Sequence, residues 1–114
     1  MEPILRQIFT VEGVTGVLLA SKDGLTIASV MDIPTTEAHA VHAATVFDAL
    51  DRYTRQVSLG KPRQTMIETG AAVIILTEAG NMLLIVIAHA AANMGRLRLE
   101  SARVARAIEA QARG

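Results

Sequence analysis

The chain has 114 residues and a formal net charge of zero, from 11 basic and 11 acidic side chains. Proteins that bind nucleic acids through charge normally have a basic excess on one face, so this composition argues against that class. The absence of cysteine excludes disulfides and thiolate zinc sites.

The first third of the chain predicts a short helix followed by a hairpin. Pro3 suits the first turn of a helix, which we expect to end at Gly13. The apolar run from Val14 to Ala20 predicts a buried strand, in which Gly16 indicates a bulge or the close approach of another backbone. Ser21-Lys22-Asp23-Gly24 predicts the hairpin turn, and Leu25 to Val30 the returning strand.

A long amphipathic helix is predicted next, after Asp32-Ile33-Pro34 interrupts the strand pattern. Thr35 and Thr36 are candidate N-caps, and the helix should run to about Val57. The stripe predicted to face the core contains His39, Ala43, Val46, Leu50, Tyr53 and Val57, with Phe47 at its edge. The opposite side contains Val41, Ala44, Thr45, Asp48, Arg52 and Arg55, where Asp48–Arg52 and Asp51–Arg55 form i,i+4 pairs.

Three strands and a final helix complete the prediction. Alternation predicts a half-buried strand over Gln64 to Thr69, and apolar runs predict strands over Ala71 to Thr77 and Met82 to Ala88, the last at the centre of the sheet. The last helix follows Asn93, with an apolar stripe of Leu97, Ser101, Val104 and Ile108. The order α-β-β-α-β-β-β-α predicts an α/β (α+β) fold, a five-stranded, mostly antiparallel sheet flanked by helices.

Composition and length also bear on organisation. The chain is 51% hydrophobic but only 3% aromatic, so we expect a single domain over residues 1–114 with an aliphatic core. A domain of this size leaves apolar surface that a second copy can cover. The N-terminus lacks a basic signal segment, and the near-apolar run from Met82 to Ala92 is too short to cross a bilayer. We therefore expect a cytoplasmic protein without membrane insertion.

The candidate residues for catalysis and ligand binding are few. His39 and His42 are three residues apart and His89 lies elsewhere, with no acid at ligand spacing, so a metal site is not predicted. The sequence has no nucleophile elbow and no glycine-rich phosphate loop. We expect no catalytic residue, no cofactor and no nucleotide bound by this chain.

The strand over residues 64–69 is the one feature of the sequence that points to a binding surface. It follows a loop, contains no proline and is a candidate sheet edge, and a regular edge is a template for pairing with another chain. From the residues alone, a pairing edge and a short protected edge remain equally open.

Two segments resemble a known family. Val14-Thr15-Gly16-Val17-Leu18-Leu19 with Ser21-Lys22-Asp23-Gly24, and Asn93-Met94-Gly95-Arg96-Leu97-Arg98, resemble the Roadblock family of dynein light chains and their bacterial and archaeal relatives. The resemblance covers essentially the whole chain. It implies a Roadblock/profilin-like fold and dimers that join their sheets through the middle strand, with the long helices side by side. The dimer interface implied for this chain comprises Val41, Ala44, Thr45, Asp48, Arg52, Thr65, Met66, Ile67 and Glu68.

The resemblance also implies a function. Family members are non-enzymatic, and bacterial members act on a Ras-like GTPase whose hydrolysis they stimulate without an arginine finger. The leading hypothesis is a homodimeric scaffold that binds a small Ras-like GTPase and modulates its GTP hydrolysis, with Arg52 and Arg55 as possible partner contacts. A structural adaptor in a motor, kinase or cytoskeletal assembly and a small-ligand sensor remain alternatives, as does a heterodimer.

Overall fold

The computed structural model describes residues 1–31 and 35–113, so the predicted interruption at residues 32–34 lies outside the described residues. The elements in chain order are α1 (Glu2–Phe9), β1 (Val14–Ser21), β2 (Thr26–Met31), α2 (Thr36–Gln56), β3 (Gln64–Glu68), β4 (Ala72–Ala79), β5 (Met82–His89) and α3 (Met94–Arg113). The strands form one antiparallel sheet in the order β2-β1-β5-β4-β3. The predicted element order and the central position of the strand from Met82 are confirmed.

Helices cover both faces of the sheet. α1 and α3 pack on one face and α2 on the other. Alternate residues of the central strands point to opposite faces, so each face has an apolar core of its own. Leu84 and Val86 of β5 face α1 and α3, whereas Leu83 and Ile85 face α2. The predicted apolar stripe of α3 is confirmed, since Leu97, Ser101, Val104 and Ile108 are all fully buried.

The orientation of α2 differs from the prediction. The residues of α2 that are buried against the sheet are Ala40, Ala43, Ala44 and Phe47. The predicted core stripe is confirmed at Ala43 and Phe47 and is half-buried at His39 and Leu50. It was wrong at Val46, Tyr53 and Val57, which are exposed, and Ala44 lies inward instead of outward. The row of alanines lets the helix backbone approach the sheet closely, which rotates the larger apolar side chains away from it.

Local features explain the ends of the strands. Gly24 closes the first hairpin with a φ of 95°, as its position after Asp23 predicts. The β1–β5 register shifts between Val14 and Gly16, which confirms the predicted bulge. β3 ends one residue earlier than predicted because the Thr69 hydroxyl accepts hydrogen bonds from the amides of Ala71 and Ala72 and closes a turn.

Among the glycines between residues 1 and 113, Gly13 is the one where we expect substitution to destabilise the fold most clearly. Its φ is 92°, and an added Cβ would lie 2.9 Å from the Cβ of Ala92. We expect Gly13→Ala to lower the free energy of unfolding by about 2–3 kcal/mol, from left-handed strain and crowding together. Gly70→Ala is the matched control, because its added Cβ meets no atom within 4 Å. Urea unfolding at one fixed protein concentration checks this, and equal midpoints for the two variants would contradict it.

Candidate functional site

β3 is a sheet edge with a regular backbone. It pairs with β4 without a register shift, from Gln64 opposite Thr77 to Glu68 opposite Val73. Hydrogen bonds from Thr69 N to Ala72 O and from Glu78 N to Arg63 O flank this ladder. In an antiparallel pair, residues whose N–H and C=O groups point to the neighbouring strand alternate with residues whose groups point away from it. The peptide groups of Thr65 and Ile67 therefore face β4, whereas those of Gln64, Met66 and Glu68 face outward.

β2, at the opposite edge of the sheet, is irregular. Leu19 pairs with Ala28 and the next residue, Ala20, pairs with Thr26, so Ile27 is an extra residue in a bulge. A bulge twists an edge and disrupts the line of donors and acceptors that another strand would need. Of the two edges, β3 is the one with an uninterrupted backbone template.

The side chains of β3 are only partly covered. Met66 packs against the core on the α1 and α3 side, and Ile67 against the core on the α2 side, and both are half-buried. Gln64 Nε2 donates to Thr77 Oγ1 at 3.1 Å and to the carbonyl of Arg98 at 3.1 Å. α2 packs mainly over β1, β2 and β5, while α3 packs over β4 and β5. The β3 end of the sheet thus keeps apolar side chains in contact with solvent.

One side of α2 overlooks this end of the sheet. A cleft of about 240 Å³ lies between α2 and the strands, and its lining is mainly apolar: Ala38, His39, His42, Ala43, Val46, Ile67, Ile74, Leu76 and Ile85. Helical spacing continues the same side of α2 toward its C-terminal end. We define the β3-facing stripe as His39, His42, Val46, Leu50, Tyr53 and Val57. Val46, Tyr53 and Val57 are 38%, 60% and 48% exposed, which is high for apolar residues aligned on one stripe.

The two histidines of the stripe lie in an apolar setting. Burial, and secondarily the neighbouring charge of His42, lowers the pKa of His39 below its ordinary value. Both effects disfavour the imidazolium form. His39 is half-buried and His42 is exposed.

The opposite side of α2 is polar and faces the β1–β2 turn. An added Cβ at Gly24 would lie 3.3 Å from the Cα of Val41, which fixes the turn beside this part of the helix. Arg52 Nη2 lies 3.0 Å from Asp48 Oδ2, and Arg55 Nε lies 2.9 Å from Asp51 Oδ1. Both predicted i,i+4 pairs are therefore present.

The residues predicted for the interface fall into three places. Thr65, Met66, Ile67 and Glu68 lie together on the edge strand. Val41, Thr45, Asp48 and Arg52 are exposed on the side of α2 away from β3, and Ala44 is buried inside the protomer. Arg52 and Arg55 are both exposed. The structure therefore does not bring the predicted helix residues next to the predicted strand.

Sequence reasoning missed the β3-facing stripe as a candidate surface. The signal was present as a row of apolar residues at helical spacing, but such a row fits the core as well as it fits a partner. In the described ranges, 1–31 and 35–113, no three His, Asp or Glu side chains are close enough to hold a metal ion. No helix of these ranges is long and apolar enough to cross a membrane.

Comparison of the sequence with known proteins gives a consistent result. Residues 2–88 match the sequence model of the Roadblock/LC7 domain. Two uncharacterized proteins of Methanocaldococcus jannaschii are each 31% identical over 113 residues, which covers 96% of this chain and 97% of theirs.

Comparison of the fold agrees with that match. A Roadblock/LC7 domain from Streptomyces avermitilis superposes with a TM-score of 0.92 at 19% identity, covering 100% of this chain and 98% of that one. MglB from Myxococcus xanthus superposes with a TM-score of 0.90 at 17% identity, covering 97% and 93%. A profilin from Acanthamoeba castellanii superposes with a TM-score of 0.69 at 16% identity, covering 97% of this chain and 94% of that chain. These likenesses establish the fold.

Proposed function

Because the chain belongs to the Roadblock/LC7 domain family, we propose that it is a non-enzymatic, cytoplasmic homodimeric scaffold that binds a small Ras-like GTPase. The observation that best supports a homodimer is that the regular, uncovered β3 edge lies beside an exposed apolar stripe on α2. A second copy satisfies both needs at once, because it supplies a strand for the edge and an apolar helix face for the stripe.

The size of a stable interface supports the use of both surfaces. A standard interface covers about 800 Å² on each partner, which is roughly an eighth of the 6469 Å² surface of this protomer. A strand of five residues is too short to supply that area alone. In the proposed dimer the strand contributes the hydrogen bonds of Gln64, Met66 and Glu68, and the stripe contributes most of the apolar contact.

This arrangement changes the proposed role of the helix residues on the opposite side of α2. Val41, Thr45, Asp48 and Arg52 stay exposed when the two β3-facing stripes meet, so they form an outer ridge on each copy. The two ridges lie on one face of the joined sheet. We assign this ridge to the partner protein, with Arg55 beside it, instead of to the dimer interface.

The nature of the partner follows from the family resemblance, which implies a Ras-like GTPase. The outer ridge supplies charged groups of both signs, with Asp48 and Arg52 free to exchange their mutual ion pair for contacts with a partner. The family resemblance implies that the scaffold donates no arginine to the nucleotide. We propose that any effect on GTP hydrolysis arises from positioning of the GTPase's own groups.

Arg52→Ala tests the ridge. We expect the purified dimer to bind a Ras-like GTPase from the same organism in its GDP or GTP-analogue state, and Arg52→Ala to weaken binding about 10-fold, because a charge-assisted hydrogen bond contributes about 1.5–3 kcal/mol. Arg6→Ala is the matched control, since Arg6 forms a similar exposed i,i+4 pair with Glu2 on α1, across the sheet. Titration calorimetry measures both.

Two outcomes would contradict this proposal in different ways. Equal loss of binding in Arg52→Ala and Arg6→Ala would show that the outer ridge is not the surface that binds the GTPase. No binding in either nucleotide state would reject the GTPase as partner and favour the adaptor alternative, in which co-purified motor, kinase or cytoskeletal proteins would dominate.

A further inference from the structure

The β3-facing stripe contains two ionisable side chains in a surface that is otherwise suited to apolar contact. His39 and His42 lie one helical turn apart, and both line the cleft between α2 and the sheet. The opposite wall of that cleft is formed by Ile67, Ile74 and Leu76 with Ile85. Imidazole is the side chain whose charge ordinarily changes between pH 5 and pH 8.

The charged groups of the neighbouring elements point elsewhere. Glu68 of β3 shares the sheet face of Met66, on the α1 and α3 side, because residues alternate along a strand. Glu78 of β4 binds Lys22 and Lys61. Glu37 is two residues from His39, and so lies on another side of the helix. In the described part of the chain, no carboxylate lines the cleft to compensate a charged imidazole.

A second copy seated on the same surface adds no acid. The stripe itself consists of histidines, aliphatic residues and Tyr53, so the two stripes of a dimer contribute four imidazoles and no carboxylate to the interface. On β3, the residues that share the α2 side are Thr65 and Ile67, and neither is acidic. Protonation in the closed interface would therefore bury unpaired positive charges.

We propose that self-association through the β3-facing stripe is pH-sensitive: closing the interface buries His39 and its neighbour His42 away from any carboxylate, so mild acid separates the copies. This inference rests on the homodimer proposed above. It assigns the stripe a regulatory role in addition to its structural one.

The direction of the effect follows from burial. The pKa of His39 is already lowered in the single protomer, mainly by burial, and closing the interface buries the ring further. Association then favours the neutral ring and releases protons. The dimer is fully favoured while His39 is neutral in the free protomer, and it loses stability as the pH falls through the protomer pKa of His39, which lies below the ordinary value of about 6.5. If each copy releases one proton on association, the dimer Kd rises by at most about 100-fold for each unit by which the pH falls.

The test is the dimer Kd, measured by analytical ultracentrifugation at pH 7.5, 6.5 and 5.5 with constant ionic strength. Because titration is incomplete over this window, we expect the wild-type Kd to rise at least ~10-fold from pH 7.5 to 5.5. His39→Gln/His42→Gln should reduce the rise to less than ~3-fold. His42→Gln alone, at an exposed position, should give an intermediate slope without a risk to folding. His89→Gln is the control, because His89 is exposed at the end of β5, and it should keep the wild-type slope.

The outcomes separate this inference from the proposed function. A wild-type dimer whose Kd does not change with pH would overturn the histidine switch and leave the homodimer standing. An equally steep slope in the His42 variant and the double variant as in wild type would overturn it as well. A wild-type monomer at pH 7.5 would reject the homodimer itself, and the switch with it.

Discussion

Met66→Pro should convert the dimer into a folded monomer. The Met66 amide faces the open side of β3, so proline removes an outward donor and leaves the β3–β4 ladder intact. Across a two-fold interface, two hydrogen bonds of about 1 kcal/mol each are lost and two rings obstruct pairing, so we expect Kd to rise at least ~30-fold. Light scattering over a dilution series measures the mass, and circular dichroism reports whether the fold is kept.

The matched control is Met66→Ala, which truncates the same side chain and keeps the amide. It should remain a dimer, although it loses part of its packing against the core. Proline at Ile67 is the wrong probe, because that amide belongs to the ladder with β4 and its loss would weaken the protomer itself. If Met66→Pro stayed fully dimeric at the dilution where wild type begins to dissociate, strand pairing through β3 would be ruled out.

Val46→Glu should break the dimer from the helix side. Val46 lies on the β3-facing stripe between the histidines and Tyr53, and 38% of it is exposed in the protomer. A carboxylate there costs the protomer little, but in the dimer it is buried among apolar side chains, and the neighbouring imidazoles can pair with it only after they are protonated. A penalty of several kcal/mol for that uncompensated charge predicts at least a ~100-fold rise in Kd. Sedimentation equilibrium at pH 7.5 checks this value.

Val41→Glu is the control for Val46→Glu on the same helix. Val41 is 52% exposed and lies beside the β1–β2 turn, on the side of α2 away from β3. The same substitution there should leave Kd within ~3-fold of wild type, because the outer ridge stays in water. The reverse result, with Val41→Glu monomeric and Val46→Glu dimeric, would show that the dimer forms through the side of α2 that contains Val41, as the sequence alone indicated.

The sheet and its hairpins could be predicted from the sequence because their signals are local. Asp23-Gly24 determines one turn, and the apolar run of β5 indicates the strand with neighbours on both sides. The α3 stripe was predictable for a related reason, since α3 has one apolar side and that side packs on the sheet.

The rotation of α2 could not be predicted, because the helix has two surfaces that suit burial. The small residues Ala40, Ala43 and Ala44 permit a close approach to the sheet, whereas Val46 and Tyr53 offer larger apolar area. Hydrophobicity favours the second surface, but the space between helix and sheet admits the first. The sequence also identified the edge strand but not which of its peptide groups face outward. Which residues of β3 point their N–H and C=O groups outward depends on the register of its pairing with β4.

Amide hydrogen exchange along β3, followed by NMR well above the dimer Kd at pH 7.5, tests the central claim most directly. The amides of Thr65 and Ile67 are bonded to β4 and should exchange slowly in any case. If β3 pairs with a second copy, the outward amides of Met66 and Glu68 should be protected to a similar degree. Slow exchange at Thr65 and Ile67 with fast exchange at Met66 and Glu68 would show a free edge and contradict the homodimer.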